Sequence, residues 1–300
     1  MNRNLKQVLT YFDYFSYDPS FDEIHTFYPK KITKEELTEI LKDLIKYKKI
    51  KTYSSSTVKN VYLEHYNNIF NIFCHLKFVI GNLRYYTLPQ YSIVDKLKIK
   101  NQNEKCFKEI VRKVQIYLTL VSLLPNVRFM AITGSSAMIH TGPHGDLDLF
   151  VITSSGTLWL TRLLLVLLAK SMGIYGTHIC LNLFFDSSHL FIHKKKRNSY
   201  VAHEILQMLP LVNKKNTFER FLYTNRWVHR LFPNSVRNTF APKQTKTYHP
   251  EKTGYLENVL KYVQMKYIKK NKTGMYIVEG QIWLFRSDFE HSLRKANLLK

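Results

Sequence analysis

Two aspartates, Asp146 and Asp148, flank Leu147 at the start of an apolar run that continues through Leu149, Phe150, Val151 and Ile152. In a strand, residues two apart face the same way, so both carboxylates project from one face at one end of a sheet. Two like charges that close repel unless a divalent cation sits between them. Ten residues upstream, a second apolar run, Val127 to Thr133, ends in Gly134 and Ser135. Glycine lets a backbone come close to a phosphate, and serine offers a hydroxyl and an amide to it. Ser136 to His140 would follow as a short helix, whose N-terminus attracts anions. A phosphate cradle beside a carboxylate pair is what metal-assisted transfer of a phosphoryl or nucleotidyl group requires. The expectation is Mg²⁺ (or Mn²⁺) on Asp146 and Asp148, with a nucleoside triphosphate held by Gly134, Ser135 and Ser136.

Several elements must position these residues. Asn103–Leu124 carries apolar residues at helical spacing and is stopped by Pro125. Strands are predicted at Val127–Thr133, Leu147–Thr153 and His178–Asp186, with a fourth at Leu190–His193. Leu158–Met172 is apolar nearly all round but interrupted by Arg162, and too short to span a bilayer, so it predicts a buried helix and no membrane partner. From Val201 onward the pattern is helical, broken at Pro210 and Pro233. Asn234–Gly254 is polar and reads as a linker, and Tyr255–Lys270 as an amphipathic helix.

Ahead of this block lie three short helical stretches, two opened by capping sequences at Ser20 and Thr33. They are followed by a strand at Lys49–Tyr53, for which Leu83–Leu88 is the candidate partner. Helix–helix–helix–strand–strand resembles a winged helix-turn-helix; a packing domain without DNA contact is the alternative. The organisation expected is a helical, winged-helix-like domain over 1–100, the α/β domain over 103–232 and a basic helical region over 233–300.

Gly134-Ser135, the ten-residue spacer and Asp146-Leu-Asp148-Leu resemble the signature of the polymerase-β-like nucleotidyltransferase superfamily. The match covers roughly residues 127–190. Residues beyond it, from Ala202-His-Glu-Ile205 to Asn225-x-Trp227, resemble uncharacterised bacterial proteins carrying such a domain. The resemblance implies an α/β (α+β) fold, a mixed sheet of four or five strands with helices packed on one face. It implies transfer of a nucleoside monophosphate from an NTP, with catalytic Asp146 and Asp148. It also implies a third carboxylate on the next strand, where this chain has Asn182, which has neither charge nor basicity. Asp186, four residues on, is the substitute, and Glu204 a more distant one. The same fold without catalysis, serving as a nucleic-acid-binding or regulatory protein, is the alternative that Asn182 favours.

The formal charge is +23, and it is uneven: from His193 onward 22 Lys and Arg face 7 Asp and Glu. That asymmetry suits RNA or DNA as a partner. The run Lys194-Lys-Lys-Arg197 follows a predicted strand, so Lys194 is a candidate phosphate ligand. His140 and His144 flank the end of the spacer, but Gly142-Pro143 between them breaks any helix that would make them joint ligands. Cys74, Cys106 and Cys180 have neither metal-ligand spacing nor a disulfide pattern, and the N-terminus has no leader-like apolar run; both suit a cytoplasmic setting.

Overall fold

The computed structural model describes residues 2–65, 74–143, 145–235, 254–271, 275–284 and 289–299. In chain order the elements are α1 (Arg3–Tyr14), α2 (Phe21–Phe27), α3 (Lys34–Lys46), β1 (Lys51–His65), β2 (Cys74–Thr87), α4 (Ile93–Leu123), β3 (Val127–Thr133), α5 (Gly134–Ala137), β4 (Leu147–Thr153), α6 (Leu158–Ser171), β5 (Ile179–Asp186), α7 (Ser199–Gln207), β6 (Leu209–Asn213), α8 (Thr217–Thr224), α9 (Val228–Leu231), α10 (Tyr255–Asn271), β7 (Met275–Val278), β8 (Gln281–Leu284) and α11 (Phe289–Lys295).

A six-stranded mixed sheet in the order β6-β3-β4-β5-β8-β7 forms the centre. β3 and β4 run antiparallel, and β4 and β5 parallel. The bounds of β3 and β4 are those expected from their apolar runs. Three strands were not expected. β6 contains Pro210 and sits at the sheet edge, where a residue without an N–H is tolerated. β7 and β8 form a hairpin across Glu279 and Gly280, the latter at φ +67, and add two strands beyond β5. Leu190–His193, expected as a strand, is irregular.

Alternation along the central strands splits the core in two. Leu147, Leu149 and Val151 pack with α4, α6 and α10 on one face. Phe150 and Ile152 pack with α7, α8 and the N-terminal helices on the other. Helices therefore cover both faces of the sheet, not one. On the second face a continuous apolar cluster runs from Leu5, Phe12 and Ile24 through Phe129, Phe150 and Phe185 to Trp283 and Leu293. The first three helices thus share their core with the sheet, and α4 begins ten residues before its expected start. The helix–helix–helix–strand–strand order is present, and β1 pairs with β2 from Lys51 opposite Thr87, with Tyr53 opposite Tyr85. The hairpin is fastened by the Tyr53 hydroxyl donating to Asp18 at 2.8 Å and by a buried Lys96–Asp18 ion pair at 3.1 Å. No helix among the described residues is long and apolar enough to cross a membrane.

α10 does more than cover α6. Glu257, 5% exposed, accepts hydrogen bonds from the Trp159 and Leu160 amides and so satisfies the start of α6. Gln264 joins the Arg162 guanidinium (2.7 Å) to the Trp159 carbonyl (2.7 Å). Replacing Glu257 with Ala should cost about 1 kcal/mol or somewhat more, as loss of an N-terminal cap does. Urea unfolding monitored by circular dichroism measures this; an unchanged midpoint would show that Glu257 contributes no capping energy.

Candidate functional site

Thr133, the last residue of β3, pairs with Asp148 on β4. The chain must turn sharply at Gly134 to enter α5, and Gly134 does so at φ +64. A Cβ placed there would lie 2.6 Å from Asp148 Oδ2. Glycine is therefore required twice, for the left-handed backbone and for contact with the carboxylate beside it. The spacer is held by Ser136, fully buried, whose hydroxyl donates to the Asp146 carbonyl at 2.7 Å while accepting from Thr141 Oγ1 at 3.2 Å. Ser136 thus shapes the loop and does not line the cavity. Ser135 is exposed at the start of α5 and is free of that task.

Gly134, Ser135, Asp146, Asp148 and Asn182 line one cavity of about 320 Å³. The structure brings these five predicted residues together. Asn182 on β5 donates a short hydrogen bond to Asp148 Oδ1 and accepts from the Cys180 thiol at 2.8 Å. It braces Asp148 and brings no charge.

Two predicted site residues lie elsewhere. Asp186 pairs with Thr153, at the opposite end of β4 from Asp148. Five strand positions separate those ends, roughly 16 Å at strand rise. Asp186 closes a turn there, accepting from the Gly156 amide (2.7 Å) and the Ser188 amide (2.8 Å). The substitution of Asp186 for the missing carboxylate fails because β5 runs parallel to β4 and carries its far end away from the pair. Lys194 is exposed on a short 3-10 turn and does not line the cavity. Its neighbours are engaged in packing: Lys196 pairs with Glu290 at 3.0 Å, and the Arg197 guanidinium lies over the Phe191 ring at 4.2 Å. His140 lines the cavity and contacts Asn103 at 2.9 Å; burial, with Lys100 and Lys96 nearby, pushes its pKa down. His144 lies outside the described residues.

The third carboxylate of the cavity is Glu204 on α7, the candidate that had stood furthest off in sequence. It accepts from the Gly134 amide at 3.1 Å. Burial pushes its carboxyl up to about 7, against a smaller opposing effect of that hydrogen bond. α7 is held over the sheet by His203, whose ring lies between those of Tyr11 (3.8 Å) and Phe27 (3.9 Å). Burial holds His203 well below its usual pKa, which keeps it neutral between the two rings. Helical spacing of Tyr200, Glu204 and Gln207 on one side of α7 was the sequence signal that could have found Glu204. It could not be used without knowing that α7 lies across the face bearing Asp148.

The site's donor set fits a divalent cation of the magnesium type. Among the described residues no three His, Cys, Asp or Glu side chains form a metal cage. Magnesium needs none, since it is commonly held by one or two carboxylates with phosphate oxygens and water completing the octahedron. Asp146 and Asp148 supply that number, beside a glycine turn whose Cα leaves no room for a side chain.

No family model matches the chain, and no curated protein matches it. Among solved structures, a chain from a mutant form of the toxin–antitoxin pair MntA–HpeT aligns over 41% of this chain and 88% of its own length. The identity is 10% and the TM-score 0.23.

Proposed function

We propose that this protein is a metal-dependent nucleotidyltransferase that moves an NMP from an NTP to an acceptor and releases pyrophosphate. The observation that carries the reading is the left-handed turn at Gly134 lying directly against Asp148, with Asp146 lining the same cavity. Asp146 and Asp148 would hold Mg²⁺ or Mn²⁺, which would neutralise the triphosphate and polarise its phosphorus. Ser135 would donate to the phosphate oxygens at the start of α5. Asn182 holds Asp148 in place, and Glu204, across the cavity on α7, would be the third carboxyl group in place of the one on β5. A second reading, nucleotide binding without transfer, is favoured by Asn182, because an amide in that place cannot accept a proton.

Thermal unfolding in millimolar Mn²⁺ with each NTP tests the site. Binding to the native state alone should raise stability by about 2.7 kcal/mol at a hundredfold excess over Kd. No change of melting temperature with any NTP would overturn the assignment. Incubation with labelled NTPs and total cellular RNA or protein separates the two readings, since label transfers only if the protein is catalytic.

We further propose a nucleic acid as partner of the basic C-terminal third, supported by its excess of Lys and Arg. Affinity should fall with salt at a log–log slope of about −0.7 per phosphate contact on single strands. Filter binding measures it; a protein that retains no RNA or DNA at low salt would refute this partner.

A further inference from the structure

The cavity continues past the aspartates to a floor that no step of nucleotidyl transfer uses. That floor is made by Phe185 and Phe221, which are at most 1% exposed, and by Trp283, Ile192 and Leu183. Tyr11 and Tyr200 stand at its sides. A volume of about 320 Å³ lies in the range of small-molecule sites, which combine apolar walls with a few converging polar groups. Here the converging groups are the carboxylates Asp146, Asp148 and Glu204. Among the described residues lining the cavity there is no Lys or Arg to balance them. Half-buried carboxylates beside aromatic faces are poor company for an anion and good company for a cation, which gains from both the charges and the ring quadrupoles.

We propose that this chamber binds a small organic cation, an ammonium head against Glu204 and Asp148 on an aromatic or aliphatic body seated against the pair of touching rings Phe185 and Trp283 (centroids 5.3 Å apart). The proposal requires neither metal nor nucleotide. Asp146, Ser135 and the turn at Gly134 remain at the open end, while the body of the cation takes the closed end. An anion of the same shape is excluded by the carboxylates, and a polyol by the apolar floor, which offers its hydroxyls no partners.

Isothermal titration calorimetry of the full chain at pH 8, without metal or nucleotide, tests this with three probes sharing one body: 4-phenylbutylamine, 4-phenylbutan-1-ol and 4-phenylbutanoate. The amine should bind about tenfold more tightly than the alcohol, the worth of a charge-assisted contact. The carboxylate should give no heat where the amine saturates. Equal affinities, binding of the carboxylate, or no binding by any probe would overturn the proposal. In Glu204→Gln the amine should fall to the alcohol's affinity and the alcohol should be unaffected; a persisting preference for the amine overturns the placement of the head. Ile205→Trp, with folding verified by circular dichroism, should fill the chamber and abolish both. Because nucleotide and metal are absent, failure here leaves the Mn²⁺–NTP result untouched, and failure of that experiment leaves this one interpretable.

Discussion

Asp148→Asn should reduce nucleotidyl transfer by about 100-fold or more, on the scale of losing one preorganised charged group at a reacting centre. The substitution keeps the shape of the side chain, so its fit against Gly134 and its pairing opposite Thr133 survive. What it removes is charge. On the proposed function Asp148 would be one of two acids sharing a cation with the triphosphate, and an amide carries none of the charge that such a cation needs. Folding should not suffer, because Asp148 lines the cavity and belongs to neither apolar core. The expected pattern is therefore a large loss of label transfer with little change in melting temperature. Transfer at the wild-type rate would remove Asp148 from the chemistry, and a collapse of the melting temperature would recast it as a structural residue.

The second large effect is on stability and runs with pH. The Glu204 carboxyl titrates at about 7 in the folded protein, against 4.5 for an ordinary glutamate, chiefly because burial disfavours its charged form. The folded state holds a proton over this window that the unfolded chain releases. Stability is thus highest below about 4.5 and falls as pH rises through about 7, above which the full cost is present. The linkage corresponds to on the order of 3 kcal/mol as an upper figure, reduced by the solvent that the cavity admits. Glu204→Gln keeps a neutral group of the same size, so it should raise stability by roughly 1–3 kcal/mol at pH 8 and by little at pH 4. Tyr11 and Tyr200, raised well above their ordinary values, stay neutral across this range. Urea midpoints of both proteins between pH 4 and 9 decide the matter; a difference independent of pH would show that Glu204 is not the titrating group.

Sequence reasoning reached the two halves of the site because each is local. β3 and β4 are apolar runs of seven residues whose ends are marked by Gly134 and by the acids, and their side-chain alternation follows from strand geometry alone. The N-terminal hairpin was legible only at its base, where Lys51–Tyr53 faces Tyr85–Thr87; the strands run on to His65 and back from Cys74 through residues read as the segment between them. What escaped was everything that depends on one element lying across another. Asp186 has the right residue type and the right strand, but parallel pairing puts it at the wrong end. Glu204 has no local mark distinguishing it from any other helical acid, and only the docking of α7 through His203 makes it a cavity residue. β6, β7 and β8 are four or five residues long, too short for periodicity to register. The Gly280 turn was a hairpin signal hidden by the helical pattern around it.

The walls of the cavity come from opposite ends of the chain. Tyr11 and Phe15 belong to the first helix and the turn after it, while Trp283 sits on β8. During synthesis the glycine turn and both aspartates precede β8 by more than 130 residues, so β8 joins the sheet long after they have emerged. A nascent chain halted before residue 275 would carry the turn at Gly134 on an unfinished sheet, with β5 as an edge and the Trp283 side of the floor open. A fragment cut near residue 232 would therefore inherit the motif and most of the pocket lining, but with the Trp283 wall missing.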